Sequence, residues 1–126
     1  MKANTKMGIW MDHSIAYLFD VSHSNSETLT IKADIKHHEI KETLGLDESN
    51  VQNKEQDQLS GFFQRLTDII EEFDEVVLFG PTDAKTELFN RIKKNDRAGK
   101  TKIDVKQSDR MTENQMKAFV NSFFSL

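Results

Sequence analysis

Three aspartates stand where carboxylates could gather around a divalent cation. Asp12 closes the apolar run "MGIWM", Asp83 follows "EVVLFGPT", and Asp109 follows "TKIDVKQS". Hard carboxylate oxygens at strand ends suit Mg²⁺ or Mn²⁺, and such a site would support metal-assisted cleavage of a nucleic acid. The same residues have plainer roles. Asp12 is a turn former, and Asp83 sits at a helix start, where the dipole favours negative charge. Lys85 would place a positive charge where a cation is wanted. A metal-dependent nuclease using Asp12 and Asp83 is therefore the alternative reading. The residues assign no catalytic group, no metal ligand and no cofactor. Histidine chemistry is not better served. His37 and His38 are adjacent and point to opposite faces of an extended chain, while His13 and His23 lie in turns. No nucleophile-elbow pattern is present.

Two segments fit binding. The first is "LFGPTDAK", which contains the only proline of the chain. Gly80 permits a turn without Cβ strain, Pro81 ends the strand, and Thr82 is placed to cap a helix starting at Asp83. That helix N-terminus would face the crevice at the carboxyl ends of the strands, where free N–H groups favour an anion such as a phosphate. The alternative is a turn and nothing more. The second segment is "RIKKNDRAGKTK", where Arg91, Lys93, Lys94, Arg97, Lys100 and Lys102 are opposed only by Asp96. Cations so grouped suit phosphates and would make binding salt-dependent. They also suit a helix C-terminus, and no aromatic residue interleaves the lysines as a stacking platform.

The elements that must position these residues follow from the periodicity. Residues 7–12 read as a first strand and "SIAYLFDV" as a second, apolar on both faces and so covered on both sides. "TLTIKADIK", residues 28–36, alternates, with Leu29, Ile31, Ala33 and Ile35 on one face and lysines suited to a sheet edge. Residues 37–52 are polar and aperiodic, the longest candidate loop. A helix follows, with Asn53 as its cap and an apolar stripe through Leu59, Phe62, Phe63, Leu66, Ile69, Ile70 and Phe73. Gly61 inside it suggests a close approach to the sheet. Glu71, Glu72, Asp74 and Glu75 crowd its C-terminus against the dipole, and the sequence supplies no reason for them.

"EVVLF" reads as a central buried strand. A second helix follows Pro81, and "TKIDVKQ" reads as the last strand. In the final helix Thr112 and Gln115 form a capping box, with Met111 and Met116 at the staple positions. The order β-β-β-α-β-α-β-α predicts a meander followed by parallel crossovers. The resulting α/β fold is a mixed five-stranded sheet of order 3-2-1-4-5 with helices on both faces, the ribonuclease-H-like architecture.

Composition bounds the rest. The length of 126 residues fits one domain, residues 1–126. Apolar residues are 37% and charged residues 30%, a globular balance. The net charge of -4 argues against a globally basic nucleic-acid binder but allows a local patch. Without cysteine there is no disulfide or thiolate site, which fits a reducing cytoplasm. The N-terminus shows no secretory signal, and no apolar run is long enough for a membrane span. A monomer and a weak homodimer both remain open, the latter through the edge strand or the Phe-rich C-terminus.

"GIWMDHSIAYLF" and "LFGPTDAKTELFNRI" resemble the small bacterial and archaeal proteins related to the middle domain of peptide-chain release factor subunit 1 and of Pelota. The matching residues are Asp12, His13 and Ala16, then Gly80, Pro81, Ala84 and Lys85. The resemblance implies a ribonuclease-H-like fold and a link to translation through ribosome or RNA contact. It also marks a departure. The interval between the third strand and the long helix holds Gln52, Gln56 and Gln58 but no Gly-Gly-Gln, so peptidyl-tRNA hydrolysis is not implied. The expected role is a non-catalytic binding protein.

Overall fold

A computed structural model describes residues 5–21, 28–33, 48–94 and 101–125, with 48–58 described in backbone only. The elements are β1 (Lys6–Met11), β2 (Ile15–Asp20), β3 (Thr28–Lys32), α1 (Glu48–Ile70), β4 (Glu75–Gly80), α2 (Ala84–Lys94), β5 (Lys102–Gln107) and α3 (Glu113–Phe123). The strands form one sheet of order β3-β2-β1-β4-β5. β1 pairs antiparallel with β2, and β2 with β3. β1 pairs parallel with β4, and β4 with β5. This is the order that the apolar patterns predict.

Alternation along the strands builds two cores. Met7, Ile9 and Met11 of β1 join Ala16, Leu18, Val76 and Leu78 on one face, which α1 covers with Phe62, Phe63, Leu66 and Ile70 and α2 with Leu88 and Ile92. Trp10, Phe19 and Phe79 point the other way and meet Met116 and Val120 of α3. β2 is covered on both sides, as its two apolar faces require. Val76 through Phe79 are fully buried, which fits a central strand. Gly8 admits α3 to the second face: a Cβ there would overlap both methyls of Val120. Phe119 stacks on Phe79 with centroids 4.2 Å apart.

Four expectations need correction. α1 begins at Glu48, so residues 48–52 are helical and Asn53 lies inside the helix. Its first eleven residues hold only one apolar side chain, Val51, so no periodicity betrays them. Phe73 falls just beyond the helix, packed against the core. Gly61 makes no close approach: nothing lies within 4 Å of where its Cβ would be. Leu29, expected on the covered face of β3, is 52% exposed, whereas Ala33 on the same face is buried. Residues 34–36 of the expected third strand lie outside the described residues.

The acidic residues after α1 have a partial explanation. The Asp74 carboxylate accepts hydrogen bonds from the Thr5 N–H at 2.9 Å and from its hydroxyl at 3.3 Å. In return the Asp74 N–H donates to the Thr5 hydroxyl at 3.0 Å. This clasp fastens the start of β1 beside the start of β4. The capping box of α3 is present: Gln115 N–H donates to Thr112 Oγ1 at 3.2 Å, and Thr112 N–H to Gln115 Oε1 at 2.8 Å.

Candidate functional site

The carboxyl ends of β1, β4 and β5 bring the first candidate segment together. β1 runs into the turn Asp12-His13-Ser14, and β4 runs into Gly80-Pro81-Thr82-Asp83 before α2. The two meet at Gly80. Its φ is 151°, a conformation that side chains disfavour, and a Cβ there would strike the Met11 carbonyl. Glycine is thus needed both for the turn and for the close approach of β1 and β4.

Asp12 is buried and organises the first turn. Its Oδ1 accepts from Ser14 N–H at 2.8 Å, Ser14 Oγ–H at 2.9 Å and Ile15 N–H at 3.0 Å. Its Oδ2 lies 3.3 Å from the guanidinium of Arg110, which reaches in from the segment between β5 and α3. Burial pushes the carboxyl up. The hydrogen bonds from Ser14, Ile15 and Arg110 together outweigh burial and hold it below the usual carboxylate value of 3.8. His13 points outward, its Nε2 2.8 Å from Glu87 Oε2 on α2.

The second turn is also satisfied internally. Thr82 Oγ1 accepts from Ala84 N–H at 3.2 Å. α2 starts at Ala84, one residue later than expected, and Asp83 supplies the carbonyl that accepts from Glu87 N–H at 2.9 Å. The Asp83 side chain is exposed. Lys85 is buried although it is charged. Its ammonium donates to the Thr82 carbonyl and to Gln107 Oε1 at 2.9 Å. Gln107 in turn donates to the Pro81 carbonyl at 3.3 Å. Lys85 and Gln107 therefore stitch the Pro81–Thr82 turn to the end of β5.

Periodicity does not identify Ser14, Glu87, Gln107 or Arg110. Ser14 has a local signal, since an aspartate two residues before a serine is an Asx-turn pattern. Gln107 has a topological one, because the register places it beside Gly80. Arg110 is 98 residues from its partner and has no local signal.

The donor set does not fit a metal centre. Among the described residues no group of three or more His, Asp or Glu could hold a metal ion. Both Asp12 oxygens are already engaged. Asp109 is exposed, and its carbonyl accepts from Trp10 Nε1 at 3.4 Å.

The basic segment divides. Arg91 donates to Ser60 Oγ at 2.9 Å and ties α2 to α1. Lys93 and Lys94 are exposed at the end of α2, with the Lys93 ammonium 5.3 Å from the Phe89 ring centroid. Lys102 is exposed on β5. Ile103 and Val105 pack with the α1–α2 core, so alternation puts Lys102, Asp104 and Lys106 on the α3 face. Arg97 and Lys100 lie outside the described residues, as do His23, His37 and His38.

The fold is similar to part of Pelota. The crystal structure of the Thermoplasma acidophilum Pelota protein superposes with a TM-score of 0.52 at 11% identity, covering 94% of this chain and 32% of that one. The chain thus spans about a third of Pelota's length. No protein-family model and no curated protein matches the sequence. Among the described residues no helix is long and apolar enough to cross a membrane.

Proposed function

We propose that residues 1–126 form one ribonuclease-H-like domain that acts in the cytoplasm as a non-catalytic, translation-associated protein contacting RNA or a ribosomal surface. The observation that supports this reading is the fold likeness to Pelota over 94% of the chain. It agrees with the resemblance of the Asp12–Ala16 and Gly80–Lys85 segments to the release-factor and Pelota middle domains. The Asp12 and Gly80–Lys85 turns act as a frame, since their polar groups answer one another. The contact itself belongs to the cations of the basic segment that remain exposed, Lys93, Lys94 and Lys102, with Arg97 and Lys100 between them in sequence.

The test is co-sedimentation of the protein with ribosomes across a salt series, beside the triple variant Lys93→Glu, Lys94→Glu, Arg97→Glu. Saturable binding that weakens with salt and is lost in the variant is the expected result. Binding that the variant retains, or no binding at low salt, overturns the reading.

A further inference from the structure

We propose that β3 is a dimerisation edge: two copies of this chain pair their β3 strands antiparallel about a two-fold axis at Thr30, which joins the two sheets into one. The proposal does not rest on ribosome contact. β3 stands at one end of the sheet, and among the described residues no strand lies on its outer side. The register shows which backbone groups face that side. The Ala33 N–H donates to the Ser14 carbonyl at 2.9 Å, and Ile31 and Leu29 stand opposite Ala16 and Leu18. Bonded pairs alternate along an antiparallel ladder, so Leu29, Ile31 and Ala33 bond to β2, while Thr28, Thr30 and Lys32 turn their N–H and C=O groups outward. An edge of this kind is a template for a further strand. The Lys32 carbonyl accepts from the Arg65 guanidinium at 2.9 Å, and a carbonyl oxygen has a second lone pair for such a strand.

The side chains point to a second copy as the occupant. Among the described residues Leu29 is the large apolar side chain left exposed, and it lies on this edge. The exposed residues of β5, at the other end of the sheet, are Lys102, Lys106 and Gln107. When Thr30 stands opposite the second copy's Thr30, Leu29 stands opposite its Ile31, on the face that α1 covers, and Thr28 opposite its Lys32. Leu29 and Ile31 then form a non-bonded pair, the closer kind, with Cα atoms about 4.5 Å apart, so the exposed leucine gains an apolar partner. The only charge on β3 is Lys32. The two copies of Lys32 lie four residues apart along the paired strands, about 13 Å. That exceeds the screening length of about 8 Å in physiological salt. A foreign strand of either charge would find little on β3 to select it, whereas the pattern Thr-Leu-Thr-Ile-Lys complements itself, as a two-fold interface requires.

The test is sedimentation equilibrium of the full chain from about 10 μM to about 1 mM, the range suited to a small strand–strand interface. Leu29→Lys and Thr30→Pro are run beside the wild type. Both positions are exposed, and the Thr30 N–H faces away from β2, so the fold should persist in each. Unchanged melting of dilute protein checks this, and Leu29→Lys alone decides if Thr30→Pro unfolds. The expected result is an average mass that rises with concentration towards that of two chains, with association weakened at least about tenfold by either folded variant. A mixture of ¹³C-labelled and unlabelled protein should show intermolecular NOEs between Leu29 and Ile31. A single-chain mass throughout the range, a dimer as tight in Leu29→Lys as in wild type, or intermolecular NOEs on β5 or α3 in place of β3 would each overturn the proposal.

Discussion

The carboxyl edge of the sheet and the β5–α3 border are both polar and both lie at the surface, yet they are built on opposite terms. At the carboxyl edge the two buried charged groups have internal partners. Asp12 meets Ser14, Ile15 and Arg110, and Lys85 meets Thr82 and Gln107. At the border Lys102 and Lys106 have no carboxylate partner among the described residues, and apolar carbon faces outward. Partner-rich polar groups hold a fold together, whereas groups left without partners are available to something else. Substitutions at the first region should therefore register as stability, and those at the second as binding.

The largest effect is expected at Gly80. Gly80→Ala combines a disfavoured φ with a clash against the Met11 carbonyl, and should destabilise by about 3 kcal/mol or more in urea unfolding. A loss below about 1 kcal/mol would mean that β1 and β4 can separate there. Next is Asp12→Ala, which strands the Ser14 and Ile15 N–H groups; a loss of roughly 2 kcal/mol at pH 7 is expected. This loss has a defined pH dependence. The folded pKa of Asp12 lies below 3.8, so its contribution is fully present above that value and disappears as pH falls through the folded pKa. Wild type and Asp12→Ala should thus converge in acid, and a gap that stays constant down to pH 2 would show that the carboxylate's charge is irrelevant.

A smaller effect of opposite sign is expected at Gly61, which faces open space on α1. Gly61→Ala should stabilise by up to about 1 kcal/mol, seen as a higher melting temperature. Smallest is Lys94→Glu, exposed at the end of α2, where stability should move by less than about 0.5 kcal/mol. A larger shift would mean that Lys94 contributes to the fold rather than standing free for contact.

How much of this was legible beforehand differs between fold and site. The strand order could be read because each strand's alternation and each helix's stripe are local properties. Leu29 shows the limit: alternation tells which residues share a face, not how far a helix extends over it. The start of α1 was hidden because residues 48–58 lack an apolar period. In the site, Asp12, Gly80 and Lys85 could be named from turn chemistry. What they bond to could not, because Arg110 and Gln107 arrive by tertiary folding. Gly61 misled, since a glycine in a helix has more than one possible cause.

The Thr5–Asp74 clasp spans 69 residues, as does the neighbouring pairing of Lys6 with Glu75. During synthesis at about 5–20 residues per second, β1 waits roughly 3–14 seconds for its central partner. Through that interval the β1–β2–β3 meander has neither β4 beside it nor α3 above it, so Trp10 and Phe19 remain uncovered on the nascent chain. On the nascent chain β4 and the last two helices thus close over a sheet whose first three strands were made well before them.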